Sequence, residues 1–485
     1  MNHLYLKQQL KPDSMLMKFR RTLLSISGLL ILSTFASFRQ PEYQFTADPA
    51  KPNIIIIMAD DLDSRQLSCY GGQNINTRNI DALAAEGMKF NNMIASEAMC
   101  VPTRASLFTG LFPARHGAFQ NHKDVFTNLK SVGHYLADLG YSVGLTGKNH
   151  VTTPKSVFPF EIVKGFEPNC VSATDEYSLH EVRKYITRKD PYCLFVMSIN
   201  PHTPWTVGDP SEFNADNLKL PEHWVDTKLT RTQFCKYLAE VRQLDNQVGD
   251  LMKMLKETGQ DKNTIVIFLG EQGAQFPGAK WTLYDAGQKS SMIVRWPGQI
   301  AAGLQSNAIV QYEDVTPTLI DIAGGKAIQN LDGRSFLNVV QGKSQTHRDV
   351  AYGIHNSIPA GKAFPIRSIR DGQYKLILNL TSKNNYHIKY MNPGNKNSIW
   401  STWLNKAATD SQAKMRTDRI VKHPDIEFYD LFKDPYEMNN LADKKEYQAM
   451  IKKYDSQLKQ WMKQQGDPGA ALDVPFKDSK SDDEL

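Results

Sequence analysis

From residue 53 onward the chain alternates between mostly apolar runs and stretches in which apolar residues recur every three or four positions. NIIIIMADD (53–61), YSVGLTG (141–147), YCLFVMSI (192–199) and TIVIFLG (264–270) are the apolar runs. They are rich in β-branched residues and predict strands buried on both faces. The intervening segments predict helices. One spans 79–87 and is closed by Gly87, and a short one lies in SVGHYLADLG and ends at Gly140. The clearest covers 231–258, where Phe234, Tyr237, Leu238, Val241, Leu244, Val248, Leu251, Met252 and Leu255 form one face and Gly259 stops the run. Strands alternating with helices predict an α/β domain, a mostly parallel sheet with helices on both faces.

Past about residue 355 the pattern changes. FPIRSIRDGQYKLILNL (364–380) reads as two strands joined through Asp371-Gly372, a hairpin signal. Irregular lysine-rich sequence follows, then IEFYDLFKDPYEMNNLA (426–442) and an amphipathic helix near 444–463. The expected organisation is a catalytic-size α/β domain over 53–355, a smaller α+β subdomain with an antiparallel sheet over 356–470, and a polar tail over 471–485. The closing DDEL faintly resembles a retention signal but reads as a solvated acidic end.

The N-terminus has a different pattern. Lys18, Arg20 and Arg21 precede LLSISGLLILSTF (23–35), with the small residues Ser33, Thr34, Ala36 and Ser37 around its end. A charged segment, an apolar segment and a cleavage-like neighbourhood predict a signal peptide over 1–38, followed by a linker over 39–52. The apolar stretch is 13 residues long, short of the roughly 20 that span a bilayer. No stable membrane anchor is expected, and the chain reads as exported, periplasmic or secreted.

Composition narrows the choice of partner. The formal charge is +6 over 485 residues, with no run of lysines and arginines to track a nucleic-acid backbone, so that partner is not expected. Five cysteines, at 69, 100, 170, 193 and 235, are few for an exported chain and odd in number. At least one stands outside any pair, and Cys100 in CVPTRASLFTG (100–110) is the one singled out.

Sites in open α/β sheets form where strands end. Asp60 and Asp61 follow the first strand, Lys148 and His150 follow the second, His202 follows the third, and Glu271 and Gln272 follow the fourth with Lys280 shortly after. Each alone reads as a cap, a solvated histidine or a surface lysine. Together they form an oxygen-ligand set suited to Ca²⁺, ranked ahead of Mg²⁺, beside cations suited to an oxyanion. Two histidines add proton transfer near neutral pH.

CVPTRASLFTG resembles the signature of the type I sulfatases at Cys100, Pro102, Arg104, Leu107, Thr109 and Gly110. NIIIIMADD, TGKNH (146–150), INPHTPW (199–205) and FYDLFKDPYEMNNLA extend the resemblance from about 52 to about 445. GKNHV with VFPFE, and FPGAKWTLYDAG, look most like the branch of heparan N-sulfatases and bacterial polysaccharide sulfatases. The resemblance implies an alkaline-phosphatase-like fold and sulfate-ester hydrolysis. It also implies oxidation of Cys100 to formylglycine by a maturation enzyme. Asp60, Asp61, Glu271 and Gln272, with residue 100 itself, would hold the metal. Lys148 and Lys280 would clamp the sulfate, Arg104 would orient the formylglycine diol, His202 would protonate the leaving group, and His150 would deprotonate the second hydroxyl. The helix after Cys100 would aim its N-terminal amides and dipole at the sulfate. Glu271-Gln272 departs from the Asp-Asn or Asp-His of many relatives by one methylene per side chain. The implied substrate is a sulfated glycan, algal such as ulvan or heparan-type, with Trp205, Trp281, Tyr284 and Trp296 near the motifs as candidates to stack on its sugars. A phosphonate or phosphate monoester hydrolase and a non-catalytic glycan-binding homologue are the competing readings.

Overall fold

The structure is a computed structural model describing residues 51–151, 153–356, 362–391 and 394–472. The expected signal peptide, nearly all of the linker and the polar tail lie outside these residues.

Strand β1 (Asn53–Met58) is apolar from Ile54 onward because both of its faces are covered. Ile55 and Ile57 join one core cluster, and Ile54, Ile56 and Met58 join another on the opposite side. The first layer contains Phe234, Leu238, Val241 and Leu244 of the helix Lys228–Glu257 and Ile80 and Leu83 of the helix Arg78–Ala85. The second contains Val101, Leu107 and Phe108 of the helix Cys100–Thr109, Leu136 of Val132–Asp138 and Leu319 of Val315–Ile322. Each such fully buried aliphatic side chain contributes about 1.5–3 kcal/mol.

The remaining strands are β2 (Met88–Ile94), β3 (Ser142–Gly147), β4 (Glu161–Ile162), β5 (Tyr192–Met197), β6 (Thr264–Leu269), β7 (Lys289–Arg295), β8 (Leu304–Gln311), β9 (Ala351–His355), β10 (Ile366–Arg370), β11 (Tyr374–Asn379) and β12 (Ile426–Asp430). The large sheet has the order β4-β3-β5-β1-β6-β7-β2-β8, and within it β7 alone runs antiparallel to its neighbours. All four apolar runs of the sequence are its strands β1, β3, β5 and β6. Strands β2, β7 and β8 carry no such signal.

The second sheet, β12-β11-β10-β9, is antiparallel. Its β10–β11 hairpin turns through Asp371-Gly372, where Asp371 Oδ1 accepts the amides of Gln373 and Tyr374 at 2.7 Å each. One face shares the core of the large sheet through Ile366 and Ile377, and the helix Gln448–Gln464 covers the other with Ile451, Leu458 and Trp461. Strand β9 precedes residue 356, so the second sheet begins inside the 53–355 segment. Its Ile354 amide reaches the oxygen of Ser96 at 2.8 Å. Two helices, Ile399–Ala407 and Ser411–Val421, form within the stretch whose sequence reads as irregular. All five cysteines are unpaired, and no described helix is long and apolar enough to cross a membrane.

Candidate active site

The acidic turn after β1 is built by its neighbours. Extended pairing continues past Met58, with the Ala59 amide on Leu269 O and the Asp60 amide on Asn200 O, both at 2.9 Å. Asp61 then adopts φ 56°, a left-handed conformation that costs a non-glycine residue about 1 kcal/mol or more. Tyr237, read from sequence as a core residue, supports that turn. Its hydroxyl donates to Asp61 O at 3.2 Å and accepts the Asp63 amide at 2.8 Å.

Cys100 opens the next helix. Met99 is extended at φ −152°, Pro102 sits in the first turn where its missing amide costs nothing, and Gly110 closes the helix at φ 71°. The expectation that this helix aims its amides at the sulfate narrows to the amide of Cys100. The Val101 amide is taken by Asn121 Oδ1 at 3.1 Å, Pro102 has none, and the Thr103 amide bonds Met99 O. What the helix end presents is its dipole, the Cys100 amide and the side chain of residue 100.

The strand ends bring the charged residues together. Cys100 Sγ lies 3.7 Å from Asp60 Oδ1 and 3.9 Å from Asp61 Oδ1. Lys148 Nζ donates to Asp60 Oδ2 at 2.5 Å and Lys280 Nζ to Asp61 Oδ2 at 2.8 Å. Arg104 bonds Glu271 through Nε, donates to Lys148 O at 3.1 Å and approaches Asp60 with Nη2 at 3.7 Å. Gln272 Nε2 lies 2.5 Å from Asp61 Oδ1 and 3.5 Å from Cys100 Sγ. All are essentially excluded from solvent. Burial would lower the Lys148 and Lys280 ammonium pKa values, but the surrounding anionic groups, led by Asp60 for Lys148 and by Asp61 for Lys280, together outweigh it and hold both above their ordinary range. Burial, then Glu271, pushes the Cys100 thiol well up.

Lys148 is aimed by Gly147. With φ +87°, a Cβ there would stand 2.1 Å from Met197 O, and the Lys148 amide bonds that same oxygen at 2.8 Å. Only glycine fits.

The histidines lie at the edge of the cluster. His202 Nε2 is 3.6 Å from Asp61 Oδ2, and its Nδ1 faces the oxygens of Cys170 (3.1 Å) and Thr203 (2.5 Å). That arrangement places the proton on Nδ1. Burial lowers its pKa to about 3, with Asp61 opposing; the negative charge of a bound ester would oppose it further. His150 stands farther out, with Nε2 3.3 Å from Cys170 Sγ, its pKa pushed well down by burial and then by Lys148.

His150, His202 and Lys280 line a cavity of about 260 Å³. Sequence reasoning missed its other walls, Asn121, Cys170, Gln275, Lys389, Tyr390 and Asn395. Three of these come from the irregular stretch after β11, where spacing carries no signal. Of the four aromatic candidates for sugar stacking, Trp281 lines the cavity. Trp205 stacks on Phe276 at 4.7 Å, Tyr284 bonds Glu427 at 2.8 Å, and Trp296 packs on the core.

The donor set fits a hard divalent cation. Asp60, Asp61, Cys100 and Glu271 each offer an atom within 4.8 Å of the others. Glu271 Oε2 and Gln272 Oε1 are buried without a hydrogen-bond partner among the described residues. Orphaned buried oxygens are costly unless something positive meets them. A half-turn of the Gln272 amide exchanges its nitrogen for that oxygen beside Asp61.

The sulfatase family profile matches residues 52–325, and the profile described as N-sulphoglucosamine sulphohydrolase, C-terminal, matches 275–418. An ulvan-active sulfatase of Formosa agariphila is 33% identical over 424 residues, 86% of this chain and 81% of that protein. The N-sulphoglucosamine sulphohydrolase of Homo sapiens is 26% identical over 480 residues, 86% of this chain and 91% of that one. A protein solved with its substrate D-glucosamine-2-N,6-O-disulfate superposes with TM-score 0.65 at 22% identity, over 86% of this chain and 99% of that one. A phosphonate monoester hydrolase of Agrobacterium radiobacter superposes with TM-score 0.66 at 20% identity, over 85% and 96%, so the fold by itself does not choose between sulfur and phosphorus. The family profile and the 33% identical relative do choose: this chain belongs to the sulfatase family, the hydrolases of sulfate esters.

Proposed function

We propose that the chain is an exported sulfatase that removes sulfate from a sulfated polysaccharide or its oligosaccharides, of ulvan or heparan type. The observation that carries the proposal is the position of Cys100, within 4 Å of both Asp60 and Asp61 and beside a cavity lined by Lys280 and His202. The substrate class is supported by the ulvan-active and N-sulphoglucosamine relatives. Export is supported by the N-terminal pattern of the sequence.

Residue 100 acts as formylglycine, made from cysteine by a maturation enzyme, and its hydrate supplies the nucleophilic oxygen. Asp60, Asp61, Glu271 and Gln272 would hold Ca²⁺, which when bound would lower the pKa of a hydroxyl on residue 100. Lys148 and Lys280 steady the sulfate oxygens as charge shifts onto them, a contribution of about 10²–10³ in rate per donor. Arg104, fixed by Glu271 and Lys148 O, holds residue 100 in line. His202, protonated also on Nε2 in the complex with the anionic ester, gives that Nε2 proton to the departing alcohol, while Nδ1 keeps its own toward the Cys170 and Thr203 oxygens. His150 takes one from the second hydroxyl of residue 100 as sulfate leaves.

Mass spectrometry of the peptide containing residue 100, from protein made alongside a maturation enzyme, tests the modification, since formylglycine is lighter than cysteine. Sulfate release from a panel of defined sulfated oligosaccharides and matched aryl sulfate, phosphate and phosphonate esters tests the reaction. A preference for the phosphorus esters overturns it. Unmodified thiol with oligosaccharide binding but no turnover identifies a binding protein instead.

A further inference from the structure

A second pocket, of about 110 Å³, lies apart from the catalytic cavity and shares no lining residue with it. Arg65, Lys289, Arg370 and Asp285 form its polar wall, and Phe432 stands at it with 73% of its surface exposed.

The charges around the pocket do not balance. Arg65 is held by Asp63, with Nε–Oδ1 at 2.9 Å. Arg370 Nη1 bonds both oxygens of Asp285 at 2.7 Å, and Lys375 bonds the same carboxylate and Glu437. Asp285 is therefore already shared by two cations. Lys289 Nζ has neither a salt bridge nor a hydrogen bond among the described residues, although its backbone is fixed in β7 opposite Ile94. Four cations face three carboxylates. The imbalance is felt at Lys289, whose ammonium pKa is lowered by burial and by Arg370, Arg65 and Lys375 against the pull of Asp285.

We propose that this pocket is a glycan subsite outside the catalytic cavity, in which Lys289 and Arg370 hold an anionic group of the polymer, a sulfate ester or a carboxylate, while Phe432 packs on the adjoining sugar ring. The proposal rests on the sulfated-glycan reading above. An aromatic face beside guanidinium and ammonium groups suits an anionic sugar, whose C–H face is apolar and whose substituents are charged. A free sulfate ion shares the charge chemistry but makes no use of Phe432.

Lys289→Gln and Phe432→Ala test the subsite. Lys289 has no ion pair to break and Phe432 is too exposed to leave a cavity, so neither change has a structural reason to disturb folding. Both are compared with the unaltered enzyme on a fractionated ulvan oligosaccharide and on 4-nitrophenyl sulfate, and all three are titrated calorimetrically with the oligosaccharide and with sodium sulfate. The expected result is a KM for the oligosaccharide raised roughly three- to tenfold in both variants, kcat unchanged, aryl sulfate kinetics unchanged, and Lys289→Arg restoring most of the loss. Unchanged oligosaccharide KM overturns the proposal. Weakened sulfate binding with unchanged oligosaccharide KM also overturns it, assigning the pocket to the free ion. If the unaltered enzyme releases sulfate from neither substrate, the sulfatase reading fails by itself, and the subsite is judged by whether Lys289→Gln weakens oligosaccharide binding in calorimetry.

Discussion

The phenol of Tyr237 donates to the main-chain oxygen of Asp61 at 3.2 Å and accepts the amide of Asp63 at 2.8 Å, so the helix Lys228–Glu257 holds the acidic turn in its left-handed conformation. The residue belongs at once to the core layer and to the site.

Tyr237→Phe keeps the ring and removes both hydrogen bonds. A buried carbonyl and a buried amide lose their partner, which costs about 1–3 kcal/mol. The expected outcome is a lower urea midpoint with an unchanged slope and weaker stabilisation by added calcium. If neither quantity moves, Tyr237 is a packing residue only.

Three carboxylates, Asp60, Asp61 and Glu271, face three cations, Arg104, Lys148 and Lys280. Electroneutrality alone therefore does not call for an ion; the orphaned Glu271 Oε2 and Gln272 Oε1 do. Calcium at a hundredfold excess over its Kd should add about 2.7 kcal/mol of stability by mass action, read as a higher melting temperature that chelator reverses. Asp61→Asn keeps the size of the side chain and the main-chain bond to Tyr237 but removes a ligand charge, and should abolish most of the calcium-dependent rise. A melting temperature indifferent to calcium in the unaltered protein rejects the assignment.

How much of this the sequence displayed depends on how each segment is buried. β1, β5 and β6 are covered on both faces, so their residues form apolar runs and the polar residues after them mark the site. β2 (MKFNNMI) and β8 (LQSNAIVQ) have partly exposed positions, and β7 begins with Lys289, Ser290 and Ser291, so no run announces them. Tyr237 fits the helical apolar period so well that its hydroxyl carries no separate signal. The cavity walls Lys389, Tyr390 and Asn395 come from connecting segments whose positions depend on tertiary packing rather than on periodicity. The helices Ile399–Ala407 and Ser411–Val421 bury few residues, among them Trp400, Trp403 and Ile420, in a charged background.

Glu240 gives the fold a pH dependence of definite sign. Its carboxyl accepts the amides of Thr206 (2.8 Å) and Val207 (3.2 Å), yet burial, with Asp175 and Asp60 adding, raises its pKa to about 8. The folded state thus binds the proton more tightly than the unfolded chain. Its contribution is fully present below the unfolded pKa and is lost as pH rises toward 8, at up to about 1.4 kcal/mol for each pH unit climbed between the two pKa values. Glu240→Gln cannot titrate. Between pH 5 and pH 8 the urea midpoint should fall more in the unaltered protein than in the variant; equal falls would show that Glu240 titrates normally.

Gly147 and Gly140 separate two reasons for a glycine. Both have positive φ, +87° and +83°. A Cβ at Gly140 meets only Lys51 Nζ at 3.9 Å, so Gly140→Ala bears the conformational cost alone, about 1–2 kcal/mol. A Cβ at Gly147 would stand 2.1 Å from Met197 O, an oxygen held in place by the Lys148 amide, so β3 and β5 would have to part just where Lys148 turns toward Asp60. Gly147→Ala adds overpacking of about 1–3 kcal/mol to the same conformational cost. It should also reduce aryl sulfate turnover well beyond its effect on stability, because the ammonium no longer points at Asp60. Gly140→Ala should keep full turnover once folded. Equal turnover in the two folded variants would mean that the close approach of β3 to β5 does not set the direction of Lys148.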